Sequence, residues 1–198
     1  MTLALLLPAM LVPHAQAQPH DAATPQWRDA APRRSDEGRG PFERLILRNA
    51  MIVDGTGGPV SGPTTLIVRG DRIERIGGEA TPGPGDEVID VAGGYVLPGL
   101  VDTHVRVLDE ASPSMPPDYA LKLLLAHGIT TITSMQAWPY VGWALNLQKQ
   151  SAANAIFAPR IQVWADVRAP TEKETRAMVR GAKARGVAGL GEGSVLGP

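Results

Sequence analysis

Short apolar runs separated by glycine-rich turns fill residues 43–97. The stretch ERLILRNAMIVDGTGG is an apolar, β-branched run closed by glycines, which predicts a strand and then a turn. In TTLIVRGDRIERIGG, two such runs flank Gly70-Asp71, a two-residue connection typical of a tight hairpin. Two more short strands are predicted around Gly93-Gly94 in VIDVAGGYVLPG. We therefore predict a small all-β module at 43–97.

Beyond residue 98 the pattern changes to strands that alternate with helical stretches. Strands are predicted at 100–107, 129–135, 160–165 and in a short run at 186–190, and helices at 118–127, 141–153 and 171–185. Thr171 is a typical N-cap with Glu174 as its capping-box partner, and Gly186 ends that helix. The alternation indicates about four βα units on a parallel sheet in residues 98–198.

The first 42 residues follow neither pattern. MTLALLLPAMLVPHAQAQ has an apolar run followed by Ala15-Gln16-Ala17, which predicts a cleaved signal peptide at 1–17, although no Lys or Arg precedes the run. Residues 18–42 are rich in Pro, Ala and charge without period, and we interpret them as a flexible leader. The apolar run is broken by Pro8 and is too short for a membrane anchor. We expect an exported protein, periplasmic or secreted.

Composition narrows the possible functions. The chain has 198 residues, 43% hydrophobic residues and a net charge of -1, which argues against a nucleic-acid partner. It contains no cysteine, so a thiolate metal ligand and a cysteine nucleophile are excluded. A complete eight-unit α/β barrel needs about 250 residues, more than this chain provides.

The stretch PGLVDTHVRV carries the candidate chemistry. Alternate residues of a strand point the same way, so Asp102, His104 and Arg106 share one face, and Val101 and Val105 share the other. In a barrel the polar face would look into the mouth at the carboxyl ends of the strands. An amphipathic strand with its polar face in water gives the same alternation.

Four segments add a family resemblance. LILRNAMIVDGTGG, LIVRGDRIERIG, VIDVAGGYVLPGLVDTHVRV and LLLAHGITTITSM, in this order, resemble the N-terminal portion of the amidohydrolase superfamily, particularly its imidazolonepropionase-like and prolidase-like members. The resemblance implies an α/β fold in which 43–97 is a β-sandwich module and 98–198 the first half of a TIM-like barrel. It also implies one or two divalent metal ions, with zinc the first candidate, and hydrolysis of amide-type or cyclic C–N bonds in a small-molecule substrate.

Residue by residue, the resemblance gives two candidate metal ligands. His104 matches the first histidine of the family's His-x-His pair, and Glu192 lies near the family's strand 4 position, occupied there by a carboxylated Lys or a Glu. A solvated loop acid is the alternative for Glu192. Arg106 stands at the second histidine, and its guanidinium has no lone pair for a metal. Arg106 either binds an anionic group of the substrate, or its presence means that the metal-binding position of the second histidine has been lost.

One further histidine and three aromatic residues have structural explanations, alone or beside a functional one. His127 precedes a helix-ending glycine, and we interpret it as a partner of the last helix carbonyls. Trp138, Tyr140 and Trp143 follow the second barrel strand, where they either line a substrate pocket or pack in the core. No residue is assigned as catalytic acid, base or nucleophile.

Three hypotheses follow. The chain is the front part of an exported metal-dependent amidohydrolase, incomplete and inactive alone, with an open sheet edge that favours self-association. Alternatively, it is a non-catalytic relative that binds a partner or an anion through Arg106, as an oligomer. In the third, His104, Glu192 and later ligands hold one metal while Arg106 anchors the substrate.

Overall fold

Two sheets follow one another along the chain. The computed structural model describes residues 29–106, 115–136 and 140–195, so the predicted signal peptide, residues 18–28 of the predicted leader and Trp138 lie outside the described residues. The first sheet consists of β1 (Arg44–Ile52), β2 (Ser61–Arg69), β3 (Arg72–Ile76), β4 (Asp86–Asp90) and β5 (Tyr95–Val96). The second part consists of β6 (Leu100–Val105), α1 (Pro117–Ala126), β7 (Ile129–Gln136), α2 (Val141–Ala152), β8 (Arg160–Ala169), α3 (Glu172–Ala184) and β9 (Gly189–Val195).

The first sheet is mixed and has β1 at its centre. The strand order is β3-β2-β1-β4, with β5 also paired to β1. Strand β1 runs antiparallel to β2 and parallel to β4 and β5. The predicted hairpin is confirmed, since only Gly70-Asp71 separate β2 from β3, and Gly70 has φ 56°. The described residues form one layer here, so the second layer of a sandwich stays a prediction.

The second sheet is parallel and keeps the order of the chain, β6-β7-β8-β9. It is a curled half-barrel sheet, and the predicted alternation of strands and helices is confirmed. Because every pair is parallel, the carboxyl ends of the four strands meet at one edge. That edge carries the candidate site.

Helices α1 and α2 cover the half-barrel sheet with an apolar core. Leu121 and Leu147 are fully buried against Ile132, Ile161 and Val163 of the central strands. Burial of such side chains contributes about 1.5–3 kcal/mol each. Among the described residues, no helix is long and apolar enough to cross a membrane.

Helix α3 begins as its capping signals predict. The backbone N–H of Glu174 donates to Thr171 Oγ1 at 3.3 Å, and that hydroxyl donates to the Glu174 carboxylate at 2.7 Å. The first of these bonds satisfies one of the free backbone N–H groups at the start of the helix. The helix ends at Ala184, two residues before Gly186.

Two strand boundaries differ from the predictions. Strand β8 continues to Ala169 instead of stopping at 165, and β9 spans Gly189–Val195 instead of ending at 190. Three glycines in β9 hide the strand pattern, but pairing with β8 extends it, with Val167 opposite Gly193. Glu192 therefore lies inside a paired strand, which corrects its interpretation as a loop acid.

Three residues of the predicted flexible leader contact the half-barrel part. Ala30 is buried in the core cluster, and the backbone N–H of Arg33 donates to Ala155 O at 2.8 Å. Glu37 Oε1 is 2.6 Å from Lys122 Nζ. These partners are distant in sequence, so local composition carries no signal for them. Residues 30–37 therefore contact the half-barrel part, whereas Arg39 pairs with Glu87 in β4 of the first sheet.

Candidate functional site

The three predicted site residues converge at the carboxyl edge of the half-barrel sheet. His104 lies in β6, Arg106 follows its last residue, and Glu192 lies in β9. Glu192 Oε1 is 3.5 Å from His104 Nε2, and Glu192 Oε2 is 2.6 Å from Arg106 Nη2. In a flat sheet, β6 and β9 would be about 14 Å apart, since two strands separate them. The curl of the sheet and the long side chains bring these residues together.

The end of β6 holds His104 and Arg106 in place. Asp102 Oδ1 accepts the backbone N–H of His104 at 3.0 Å, a local bond typical of aspartate at strand ends and turns. Val105, between the two site residues, is buried in the core, as the predicted alternation requires. Val101 is 59% exposed, so only part of the predicted apolar face is covered.

Glu192 divides its two oxygens between different partners. The nearest approach of His104 is to Oε1, whereas Arg106 approaches Oε2 at 2.6 Å and Arg168 approaches the same oxygen at 3.2 Å. The hydrogen bond and the positive charge of Arg106 lower the pKa of Glu192, and His104 and Arg168 add to this effect. Glu192 is therefore an ionised carboxylate at neutral pH.

Two further residues of this cluster are not among the site residues predicted from the sequence. Asp166 in β8 is only 5% exposed; its Oδ1 accepts the backbone N–H of Glu192 at 3.2 Å, and its Oδ2 is 3.7 Å from Arg106 Nη1. Arg168, two residues later, is exposed and contacts Glu192. A signal was present, because Asp-Val-Arg repeats the polar alternation of β6. Because the predicted strand β8 ends at residue 165, this alternation falls outside it.

His104 and Glu192 fit one edge of a metal site. In tetrahedral zinc coordination, a histidine nitrogen and a carboxylate oxygen, each about 2.1 Å from the ion, lie about 3.4 Å apart. The observed separation of 3.5 Å matches this value. Within the described ranges, no group of three or more His, Cys, Asp or Glu side chains could hold a metal ion. Two such ligands would be fewer than the roughly three that a catalytic zinc ion needs.

His127 and Trp143 have structural roles. His127 Nδ1 is 2.8 Å from Leu123 O at the end of α1, which confirms the predicted contact with a helix carbonyl. Trp143 packs against the core cluster beneath α2. For Trp143, the core alternative is the one that the structure supports.

A large cavity lies at the opposite edge of the half-barrel sheet. Its volume is about 910 Å³. Its lining comes from the amino ends of β7 and β8, the end of α2 and the β2–β3 hairpin tip, and includes Phe42, Asp71, Thr130, Arg160 and Gln162. Barrel enzymes keep their chemistry at the carboxyl ends of the strands, so cavity size alone does not mark the site.

Known proteins resemble this chain over part of their length. It is 37% identical over 95 residues to an adenine deaminase of Kosmotoga olearia, covering 48% of this chain and 15% of the relative. It is 31% identical over 149 residues to the adenine deaminase of Rubrobacter xylanophilus, covering 69% of this chain and 23% of the relative. The chain is similar to proteins of the amidohydrolase superfamily over part of its length. The resemblance predicted from the sequence is thereby confirmed.

A solved structure supports the fold of the superfamily. A prolidase complexed with N-methylphosphonate-L-proline matches with a TM-score of 0.59 at 18% identity, over 76% of this chain and 46% of the prolidase. No protein-family model matches the chain. The chain spans less than a quarter of the length of the two adenine deaminases. At the level of the superfamily, the relatives are metal-dependent hydrolases of C–N bonds.

Proposed function

We propose that this protein hydrolyses amide-type or cyclic C–N bonds of small molecules with one divalent metal ion, zinc being the first candidate. His104 and Glu192 would hold the ion together with further ligands, and Arg106 would bind the substrate. The observation that carries this proposal is the division of the Glu192 carboxylate, with Oε1 toward His104 and Oε2 toward Arg106.

That division separates two readings of Arg106. A guanidinium that had replaced the metal would take the position between His104 and Glu192. Arg106 instead approaches Glu192 at Oε2, whereas His104 approaches it at Oε1, and the His104–Glu192 edge keeps the spacing of a metal-binding pair. Arg106 is therefore compatible with one ion at this edge.

The residues of the site would have distinct tasks. A bound zinc ion supplies a water molecule of lowered pKa as nucleophile. Glu192, whose pKa is lowered chiefly by Arg106, would present one oxygen to the ion. Arg106 is 36% exposed, so its guanidinium can also donate hydrogen bonds to a carboxylate or carbonyl oxygen of a substrate.

A matched pair of histidine variants tests the metal role. Because the curated relatives are adenine deaminases, adenine is the first substrate to test, followed by small amides and Xaa-Pro dipeptides. We expect His104→Ala to lower zinc content and ammonia release from adenine, whereas His127→Ala, which changes a helix-end contact, should leave both unchanged. Equal effects of the two variants would contradict the proposal.

Arg106→His tests the substrate role. If Arg106 binds the substrate, this variant lowers the rate of hydrolysis even when its zinc content rises, because imidazole lacks the two-pronged donor geometry. Zinc content and rate are measured on the same preparation. A rise in both the zinc content and the rate of hydrolysis would mean that Arg106 prevents metal binding at the position of the second histidine.

A non-catalytic binding protein is the second candidate. Two guanidiniums, that of half-buried Arg106 and that of exposed Arg168, flank Glu192 at the mouth of the half barrel, and such groups recognise carboxylates and phosphates. Saturable binding of a dicarboxylate without zinc and without turnover would favour this function. Loss of that binding in Arg168→Gln would locate it at this edge.

Export and self-association remain part of the proposal. The pattern at residues 1–17 supports a signal peptide, and the intact mass of the protein from its own cells tests it, since cleavage removes 17 residues. Leu100 and Val101 on edge strand β6 and Leu190 on edge strand β9 are exposed, which supports pairing with another copy or segment. A monomer in equilibrium sedimentation would contradict self-association.

A further inference from the structure

A buried carboxylate lies behind the candidate site. Asp166 is 5% exposed, and an ionised carboxylate at such a position needs compensating partners. Its contacts are the backbone N–H of Glu192, at 3.2 Å from Oδ1, and the guanidinium of Arg106, at 3.7 Å from Oδ2. Both partners belong to the site, and they come from the two edge strands of the half barrel.

A glycine in β9 allows the main chain of Glu192 to approach Asp166 closely. A Cβ atom on Gly191 would lie 2.8 Å from Asp166 Oδ1 and 2.6 Å from Met135 Sδ. Glycine at 191 therefore lets β9 approach the carboxylate closely enough for the next residue, Glu192, to donate its N–H. The contact depends on close packing as well as on charge.

We infer that Asp166 is a positioning residue of the candidate site. It fixes the main chain of Glu192 through one oxygen and shares the guanidinium of Arg106 through the other. Since Arg106 is held by two carboxylates, it is not drawn entirely onto Glu192, and Glu192 Oε1 stays available to His104 and a cation. The effect on a bound cation rests on the proposed function, whereas the hold on the Glu192 main chain does not.

Two substitutions separate the two contacts of Asp166. Asp166→Ala removes both, and amide hydrogen exchange at Glu192, followed by NMR in the full chain, should become about tenfold faster or more. Asp166→Asn keeps an oxygen that accepts the N–H, so exchange should stay within about threefold of the unsubstituted protein. Both variants should bind zinc about 10- to 100-fold more weakly in calorimetry, as is typical when a supporting residue is removed.

A coupled variant tests action through Arg106. In an Arg106→Met background, Asp166→Asn should change zinc affinity by less than about threefold, because the competing guanidinium is gone. Glu172→Gln is the control, since Glu172 is an exposed carboxylate that pairs with Arg176 on α3. It should leave exchange and zinc affinity unchanged.

The outcomes separate the inference from the proposed function. Unchanged exchange at Glu192 in Asp166→Ala would overturn the hold on the main chain. An equal loss of zinc affinity from Asp166→Asn in both Arg106 backgrounds would overturn action through Arg106. Absence of zinc binding in the unsubstituted protein would reject the proposed metal site, and the exchange rates would still decide the role of Asp166.

Discussion

The two edges of the half-barrel sheet differ in the features they carry: one borders a large cavity, and the other holds a cluster of charged side chains. The amino edge borders a cavity of about 910 Å³, and among the described residues that line it only Arg160 and Asp71 are charged. The carboxyl edge brings His104, Arg106 and Glu192 into one charged cluster with distances of 2.6–3.5 Å. The edge with converging charges, and not the one with the large volume, is the candidate site.

This difference has a structural cause. At the amino edge, Gly99 lies so close to Thr130 that a Cβ there would be 2.0 Å from its hydroxyl oxygen, so this edge is specified by packing. At the carboxyl edge, the close approach at Gly191 is to a carboxylate. In barrel folds, residues at the amino edge serve stability and those at the carboxyl edge serve chemistry.

The largest expected effect contrasts one polar residue from each edge. Glu192→Gln should weaken zinc binding at least about 100-fold, because it removes a charged ligand, which exceeds the effect of losing a supporting residue. Arg160→Gln, at the cavity, should stay within about twofold of the unsubstituted protein. Calorimetric titration with zinc measures both, and comparable losses would remove the distinction between the edges.

Two glycines sharpen the same comparison through stability. Gly99→Ala and Gly191→Ala should each lower the free energy of unfolding by about 1–3 kcal/mol, because each adds an overlapping methyl group. Only Gly191→Ala should also weaken zinc binding. Gly142→Ala in α2 is the control, since its Cβ meets no atom within 4 Å and alanine favours a helix. Urea unfolding gives the stabilities, and weaker zinc binding in Gly99→Ala would contradict this assignment.

Removing the guanidinium of Arg106 from the carboxyl edge should raise the zinc affinity, by a smaller factor than the loss expected from Glu192→Gln. Arg106→Met should raise zinc affinity about fivefold, because a positive charge close to the ion is lost. It should lower kcat/KM, because the substrate loses its anchor. A competition assay with a zinc-binding dye gives the affinity, and an unchanged affinity would mean that Arg106 does not face the ion.

The smallest expected effect is on acid stability. The folded-state pKa of Glu192 lies below its ordinary value of 4.5, chiefly through Arg106, so its contribution to stability is present above pH 4.5 and is lost as the pH falls through the folded-state pKa. Glu192→Gln should therefore make the loss of stability below pH 4.5 less steep. Urea unfolding at several pH values measures it, and an unchanged slope would contradict the charged contact with Arg106.

The predicted residues of the site are marked by local sequence patterns, whereas the unpredicted ones depend on pairing between strands. His104 and Arg106 were identified because a motif and strand alternation are local. Glu192 was found from its place after a short apolar run, but its strand was hidden by glycines. Asp166 lies beyond the predicted end of β8 at 165, and pairing with β9 extends this strand to Ala169.

Local signals in the amino-acid sequence determined the hairpin at Gly70-Asp71, the cap at Thr171 and the alternation of strands and helices, because each depends on neighbouring residues. Only the tertiary structure decided that residues 30–37 contact the half barrel and that Asp166 contacts the site. These contacts join residues far apart in sequence. They form because the curl of the sheet and the burial of a charged group bring their partners together, which no local pattern records.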